Sequence, residues 1–224
     1  GSDVANAGPG SRLGHDLAMR AVVIESYGGP EVLAIREVPA PEPGPDEVLV
    51  DVVASALNRA DLLQRMGLYP GPSMEYEVPG LEFAGRVASV GEAVGRWLVG
   101  DEVMAITSGG AHAGQAVVHA DQAMAVPAGM SLADAGALPE VFITAWDALV
   151  LQGGLQPGGM ALVHAGASGV GTAAIQLCRS MGAEVVVTAS GPKCAACTEL
   201  GASLAVDYAT DDWLAAVRDH TGGR

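Results

Sequence analysis

At 224 residues, 50% of them hydrophobic, the chain can bury a sizeable core in one large domain or two small ones. Eleven basic residues against 26 acidic ones leave a formal charge of −15, which disfavours nucleic acid or an anionic membrane surface as a partner, because both need basic patches. No apolar run reaches the length that a bilayer span needs.

Residues 1–18, "GSDVANAGPGSRLGHDLA", have no apolar segment of the signal-peptide kind and open on a tag-like Gly-Ser. They read as an N-terminal extension outside the fold, and the ordered pattern begins at Met19. From there to about Ala125 the chain is a succession of short strands punctuated by glycine and proline. "LAIREV" is followed by the connector "PAPEPGP" (39–45) and then "EVLVDVVAS", which places Val48, Val50, Val52 and Ala54 on one face. "LEFAGRVASV", "DEVMAI" and "QAVVHA" continue the series. This spacing predicts a compact, mostly antiparallel, barrel-like unit. One helix interrupts it, "RADLLQRMG", predicted to present Leu62, Leu63 and Met66 on one face and to end at Gly67.

The period changes after Pro127. Ser131 and Asp134 form a short capping box, and Pro139 suits the first turn of a helix running to about Gln152. Strand "MALVH" leads through a glycine loop into a helix with Val170, Ala173, Ala174, Leu177, Cys178 and Met181 at i, i+3, i+4, i+7 spacing. Strand "EVVVTA", helix "PKCAACTEL", strand "SLAVDY" and a helix near "DDWLAAVRDH" complete the chain. Strands alternating with helices predict parallel pairing. The fold class is therefore α/β, with domains expected at 19–138 and 139–224.

The three cysteines, Cys178, Cys194 and Cys197, suggest no disulfide framework and fit a reducing, cytoplasmic setting. Cys194 and Cys197 form a C-x-x-C, but a structural zinc needs four ligands and no second pair exists. Both cysteines fall on a predicted helix and read as packing residues.

The loop "HAGASGVG" sets Gly166, Ser168 and Gly171 on the three places of a G-x-G-x-x-G fingerprint, with Gly169 and Val170 between the last two. It follows an apolar strand and opens an amphipathic helix, so backbone N–H groups and the positive helix end converge on one spot suited to a pyrophosphate. Gly166 allows the tight turn, Gly171 close helix–strand packing, and Ser168 narrows the approach of the pyrophosphate without blocking it. An NAD site places an acid about twenty residues on, to bind the ribose 2′-hydroxyl. Here that region reads "VTASGPK", with Ser190 and Lys193 and no carboxylate until Glu199. A hydroxyl and an ammonium suit a 2′-phosphate, which favours NADPH.

Six segments, "MRAVVIESYGGPEVL", "ALNRADLLQRMGLYP", "PGLEFAG", "VPAGMSLADAGALPE", "HAGASGVGTAAIQL" and "KCAACTELGA", together resemble the zinc-independent quinone oxidoreductase branch of the medium-chain dehydrogenase/reductase superfamily. The resemblance runs from Met19 to the C-terminus. It implies a GroES-like, mostly-β catalytic domain joined to a Rossmann cofactor domain, with NADPH in the cleft between them and a homodimer for the full-length form. Zinc-dependent relatives carry a cysteine where this chain has Asn58 and a histidine where it has Leu81, so no metal is expected. By resemblance Asn58, Asp61 and Tyr69 line the active-site cleft and Thr144 lies near the nicotinamide. Asn58 is then a hydrogen-bond donor to cofactor or substrate oxygen, and Tyr69 either stacks on a flat quinone or supplies a proton. Asp61 either lines the cleft or only orders neighbouring backbone. Ser190, Lys193 and Tyr208 are assigned to the 2′-phosphate and adenosine end.

The resemblance further implies a six-stranded dinucleotide sheet of which this chain carries three strands, the Rossmann half stopping where relatives begin a fourth. The expected function is hydride transfer from NADPH to a quinone or related activated enone, a small molecule. Two alternatives stand beside it: an NADPH-dependent enoyl reductase on the same frame, and a truncated, non-catalytic NADPH-binding form.

Overall fold

Alternation of apolar and polar side chains lays the first half of the chain down as strands; the helical period shapes the second. The computed structural model describes residues 18–69 and 75–223, which fall into two compact units, one ending at Ala137 and the other beginning at Leu138.

In the first unit β1 (Ala18–Ile24) and β2 (Leu33–Pro39) form an antiparallel ribbon. The proline-rich connector leads to β3 (Glu47–Ser55), then α1 (Arg59–Arg65), β4 (Glu82–Val90), β5 (Glu102–Ile106), β6 (Gln115–His119), β7 (Ala123–Ala125) and the short α2 (Leu132–Ala135). Five of these strands pair antiparallel in the order β6-β3-β4-β5-β7. The ribbon is tied to this sheet's neighbourhood by Val22 N donating to His112 O and Gly114 N donating to Arg20 O, both at 2.9 Å. Val48 and Val50 point inward with Phe83, Val87 and Val103, as the period-2 pattern of β3 requires. Trp97 closes one side of this core, its indole N–H satisfied by Ala120 O at 2.8 Å.

The predicted apolar face of α1 is corrected by the structure. Leu62 and Met66 are 48% and 47% exposed, whereas Asp61 and Gln64 are buried. Asp61 and Gln64 stand three residues apart and share a face as well as any apolar pair does. Hydrogen bonds decide which face turns inward: Asp61 serves backbone amides, and Gln64 Nε2 donates to Glu77 Oε1 at 3.4 Å. The helix does stop at Gly67, which takes φ +72°.

The second unit opens with α3 (Pro139–Trp146), which widens into a π-type turn, Asp147–Gln152. There follow β8 (Met160–Val163), α4 (Gly169–Ser180), β9 (Glu184–Ala189), α5 (Gly191–Leu200), β10 (Leu204–Asp207) and α6 (Trp213–Thr221). The strands pair parallel in the order β10-β9-β8. β9 is the central strand, and all of Val185, Val186 and Val187 are buried, which is why it reads as a continuous apolar run. Ala173, Ala174 and Cys178 of the predicted α4 face are buried, and Ile175 joins them.

Candidate functional site

The turn from β8 into α4 carries the glycine fingerprint. His164 follows the strand, with Nδ1 3.0 Å from Thr188 Oγ1 and its ring edge-on to Trp213 at 5.0 Å between centroids. Ala165 then takes φ +55°, an uncommon left-handed conformation for a residue with a side chain. Gly166 N donates to Thr188 O at 2.9 Å, and Ser168 N donates back to Ala165 O at 2.9 Å. The loop is thus pinned to β9 on one side and folded on itself on the other.

The glycines here answer to space. A Cβ on Gly171 would lie 2.4 Å from Ala165 O and 2.6 Å from Gly166 C, a backbone contact that nothing can relieve. A Cβ on Gly166 would meet the Val187 side chain at 2.5 Å. Ser168, on the middle place of the fingerprint, is the N-cap of α4: its Oγ accepts from Gly171 N at 3.0 Å, and its carbonyl accepts from Thr172 N at 2.8 Å. Its hydroxyl therefore secures the helix start. The amides of Gly169 and Val170 have no acceptor among the described residues and stand at the positive end of a twelve-residue helix. No residue from Ala165 to Gly171 is acidic. Unpartnered amides, a positive helix end and glycines packed backbone to backbone fit a pyrophosphate.

At the far end of β9, Ser190 is the N-cap of α5 and its side chain makes no capping bond. Lys193 lies exposed on the first turn, with its amide bonded to Ser190 O at 2.8 Å. Tyr208 is 58% exposed, and its amide reaches Ala189 O at 3.2 Å. These three predicted residues are brought together around one strand end. Thr144 is exposed on α3, one turn beyond Val141, whose side chain packs where a Gly169 Cβ would be. The C-x-x-C cysteines are free thiols. Burial pushes the Cys194 and Cys197 thiols up, the carboxylates of Asp207 and Asp211 adding to the effect on Cys194; this is the reverse of a reactive pair.

In the first unit Asn58 and Asp61 meet at the start of α1. Asp61 Oδ2 accepts from Asn58 N at 2.7 Å and Oδ1 accepts from Gly80 N at 3.1 Å. His112 Nε2, buried and without a hydrogen-bond partner, faces the same carboxylate at 3.6 Å, while its Nδ1 lies 3.0 Å from Ser55 Oγ. Asp61 thus holds two backbone amides, one on each carboxylate oxygen. Asn58 Nδ2 donates to the buried Glu82 Oε1 at 2.7 Å, which engages one of its two amide hydrogens. Glu82, His112 and Asp207 are site neighbours that sequence reasoning missed; in the linear text each is one ordinary polar residue. Tyr69 is 42% exposed and is the last described residue before position 75. Leu81 is buried and apolar, and among the described residues no group of three His, Cys, Asp or Glu is placed to hold a metal ion. This donor set does not fit zinc.

Comparison with known proteins bears on both units. Residues 44–157 match the alcohol dehydrogenase GroES-like domain, and residues 169–224 match the zinc-binding dehydrogenase family. The human synaptic vesicle membrane protein VAT-1 homolog is 38% identical over 199 residues, covering 88% of this chain and 51% of that protein. Among solved structures, the Escherichia coli quinone oxidoreductase complexed with NADPH superposes with a TM-score of 0.79 at 30% identity, covering 92% of this chain and 63% of the other. The CurK enoyl reductase does so with a TM-score of 0.84 at 30% identity, covering 92% and 64%. The chain spans about half the length of the curated relatives it matches. Among the described residues no helix is long and apolar enough to cross a membrane.

Proposed function

We propose that this chain, which belongs to the medium-chain dehydrogenase/reductase superfamily, is the GroES-like part and the first Rossmann half of an NADPH-dependent oxidoreductase that reduces a quinone or related activated enone without zinc. The observation that supports this reading is the cradle at α4, where the amides of Gly169 and Val170 are unpartnered among the described residues and Gly166 and Gly171 leave no room for a side chain. Gly166, Gly169, Val170 and Gly171 hold the pyrophosphate, with Ser168 fixing the helix start. Ser190, Lys193 and Tyr208 receive the 2′-phosphate and adenosine end.

The dinucleotide, when bound, supplies the hydride. The chain's own groups then position and polarise. Thr144, on the exposed side of α3, orients the nicotinamide. Asn58 keeps one Nδ2 hydrogen for an acceptor oxygen, the other being held by Glu82. Tyr69 offers its ring to a planar acceptor and its hydroxyl as a proton donor. With no fitted Lewis acid, a substrate that is already electrophilic is the suitable partner, and a simple alcohol is not.

An enoyl reductase is the second reading, favoured by the likeness to the CurK enzyme. A panel of quinones and crotonyl-type thioesters, with nicotinamide oxidation followed optically in the full-length protein, separates the two. The cofactor assignment is tested on this chain by fluorescence titration. Lys193→Ala should weaken NADPH about tenfold and leave NADH unmoved. An unchanged NADPH affinity in that variant overturns the 2′-phosphate assignment.

A further inference from the structure

The end of the second parallel strand is where the adenosine ribose of a nicotinamide dinucleotide is read. Along the sequence that end carries no acid: β9 runs into Ala189, Ser190 and Gly191, and the next carboxylate is Glu199, near the far end of α5. The fold brings one in from the neighbouring strand. Asp207 is the last residue of β10 and stands in parallel register with Ala189. A Cβ on Gly191 would lie 2.4 Å from Asp207 Oδ2, so the carboxylate rests against the first residue of α5.

The turn after β10 clamps this carboxylate. Asp207 Oδ1 accepts from Ala209 N at 3.0 Å and Oδ2 from the Thr210 hydroxyl at 3.2 Å. Asp211 N donates to Asp207 O at 2.9 Å. Among the described residues no lysine or arginine pairs with Asp207, so its charge is not cancelled locally. The field reaches the first turn of α5: after burial, Asp207 and Asp211 are what push the Cys194 thiol up.

Resting on the reading that α4 and β9 hold a dinucleotide, we propose that Asp207 is a cofactor-specificity residue. Its carboxylate, delivered from the third strand, takes the place of the acid missing from the end of the second. It accepts the ribose 2′-hydroxyl of NADH and opposes the 2′-phosphate that Lys193 attracts. A fixed anion at a helix N-terminus already uses part of the favourable field that a phosphate would otherwise meet there. The two side chains pull in opposite directions, and the native chain separates NADPH from NADH only weakly.

The test is a set of fluorescence titrations with NADPH and with NADH on the native chain, Asp207→Asn and Asp207→Ser, at low and high salt. Asparagine keeps an acceptor for Ala209 N and removes the charge; serine does the same with a shorter group and reads out if the first variant does not fold. The native chain should favour NADPH by less than about tenfold. Both variants should shift the ratio of affinities toward NADPH by about five- to tenfold, tightening NADPH and loosening NADH, and salt should shrink the shift. An unchanged or reversed ratio, with cofactor binding intact, overturns the role of Asp207 alone. Binding of neither cofactor by the native chain overturns the cofactor reading with it.

Discussion

Two helix starts, one in each unit, use the same local device and reach opposite ends. α1 and α4 both begin at a polar N-cap, Asn58 and Ser168, followed three residues later by the group that answers it. At α4 that group is Gly171 N, and the serine leaves the next two amides open. At α1 it is the carboxylate of Asp61, which takes the Asn58 amide and reaches across to Gly80 N, while Glu82 holds the Asn58 side chain. One start is open to an outside anion and the other is filled by the protein's own. A capping signature therefore marks where a helix begins and says nothing of whether its end is available.

The sharpest way to break this contrast is Gly171→Ala. The added Cβ meets backbone, so the cradle must shift; a loss of about 3 kcal/mol in urea unfolding and of measurable nicotinamide binding is expected. Gly169→Ala meets only the Val141 Cγ1 methyl at 2.9 Å and should cost much less. Equal losses from the two would show that the loop is not close-packed.

Next in size is Asp61→Ala, which strands the amides of Asn58 and Gly80 in a buried site and should cost about 2–3 kcal/mol. If Asp61 works only by ordering backbone, activity of the full-length protein per folded molecule should survive in Asp61→Asn, which keeps the acceptor for one amide. Complete loss of turnover in a stable Asp61→Asn protein would return this residue to the chemistry.

Ser168→Ala removes a single cap bond and should lower stability by about 1 kcal/mol, read as a fall in Tm. Because it frees Gly171 N, affinity for the pyrophosphate should hold or improve; a large loss of binding would mean that the hydroxyl touches the ligand.

The smallest effect is alkaline. Burial raises the thiols of Cys178 and Cys197 from an ordinary value of 9.0, so the folded state holds these protons more tightly than the unfolded chain. Their contribution is fully present below that value and is lost as pH climbs through the raised range. Unfolding free energy measured from neutral to alkaline pH should decline there, less steeply in Cys178→Ala.

Much of the frame was legible in the linear text. The alternation in β3 and the continuous apolar run of β9 report how many faces each strand buries, and Gly67 and Pro139 punctuate their helices through backbone geometry alone. The glycine turn from β8 into α4 was legible too, because its strand, loop and helix are contiguous. α1 was misread because a seven-residue helix offers too few turns for periodicity to choose a face, and a buried carboxylate chose it instead.

By itself, then, the sequence determined those features whose physics is local: periods, caps, turns, and the amide-lined entry to α4. Tertiary structure alone decided which polar groups are spent on the protein itself and which charges become neighbours. Asn58 finds Glu82 twenty-four residues away, and Asp207 arrives beside Gly191 only through the parallel register of β10 on β9. Electrostatic partners act across space over a few ångströms, and strand pairing brings together residues that the chain keeps far apart.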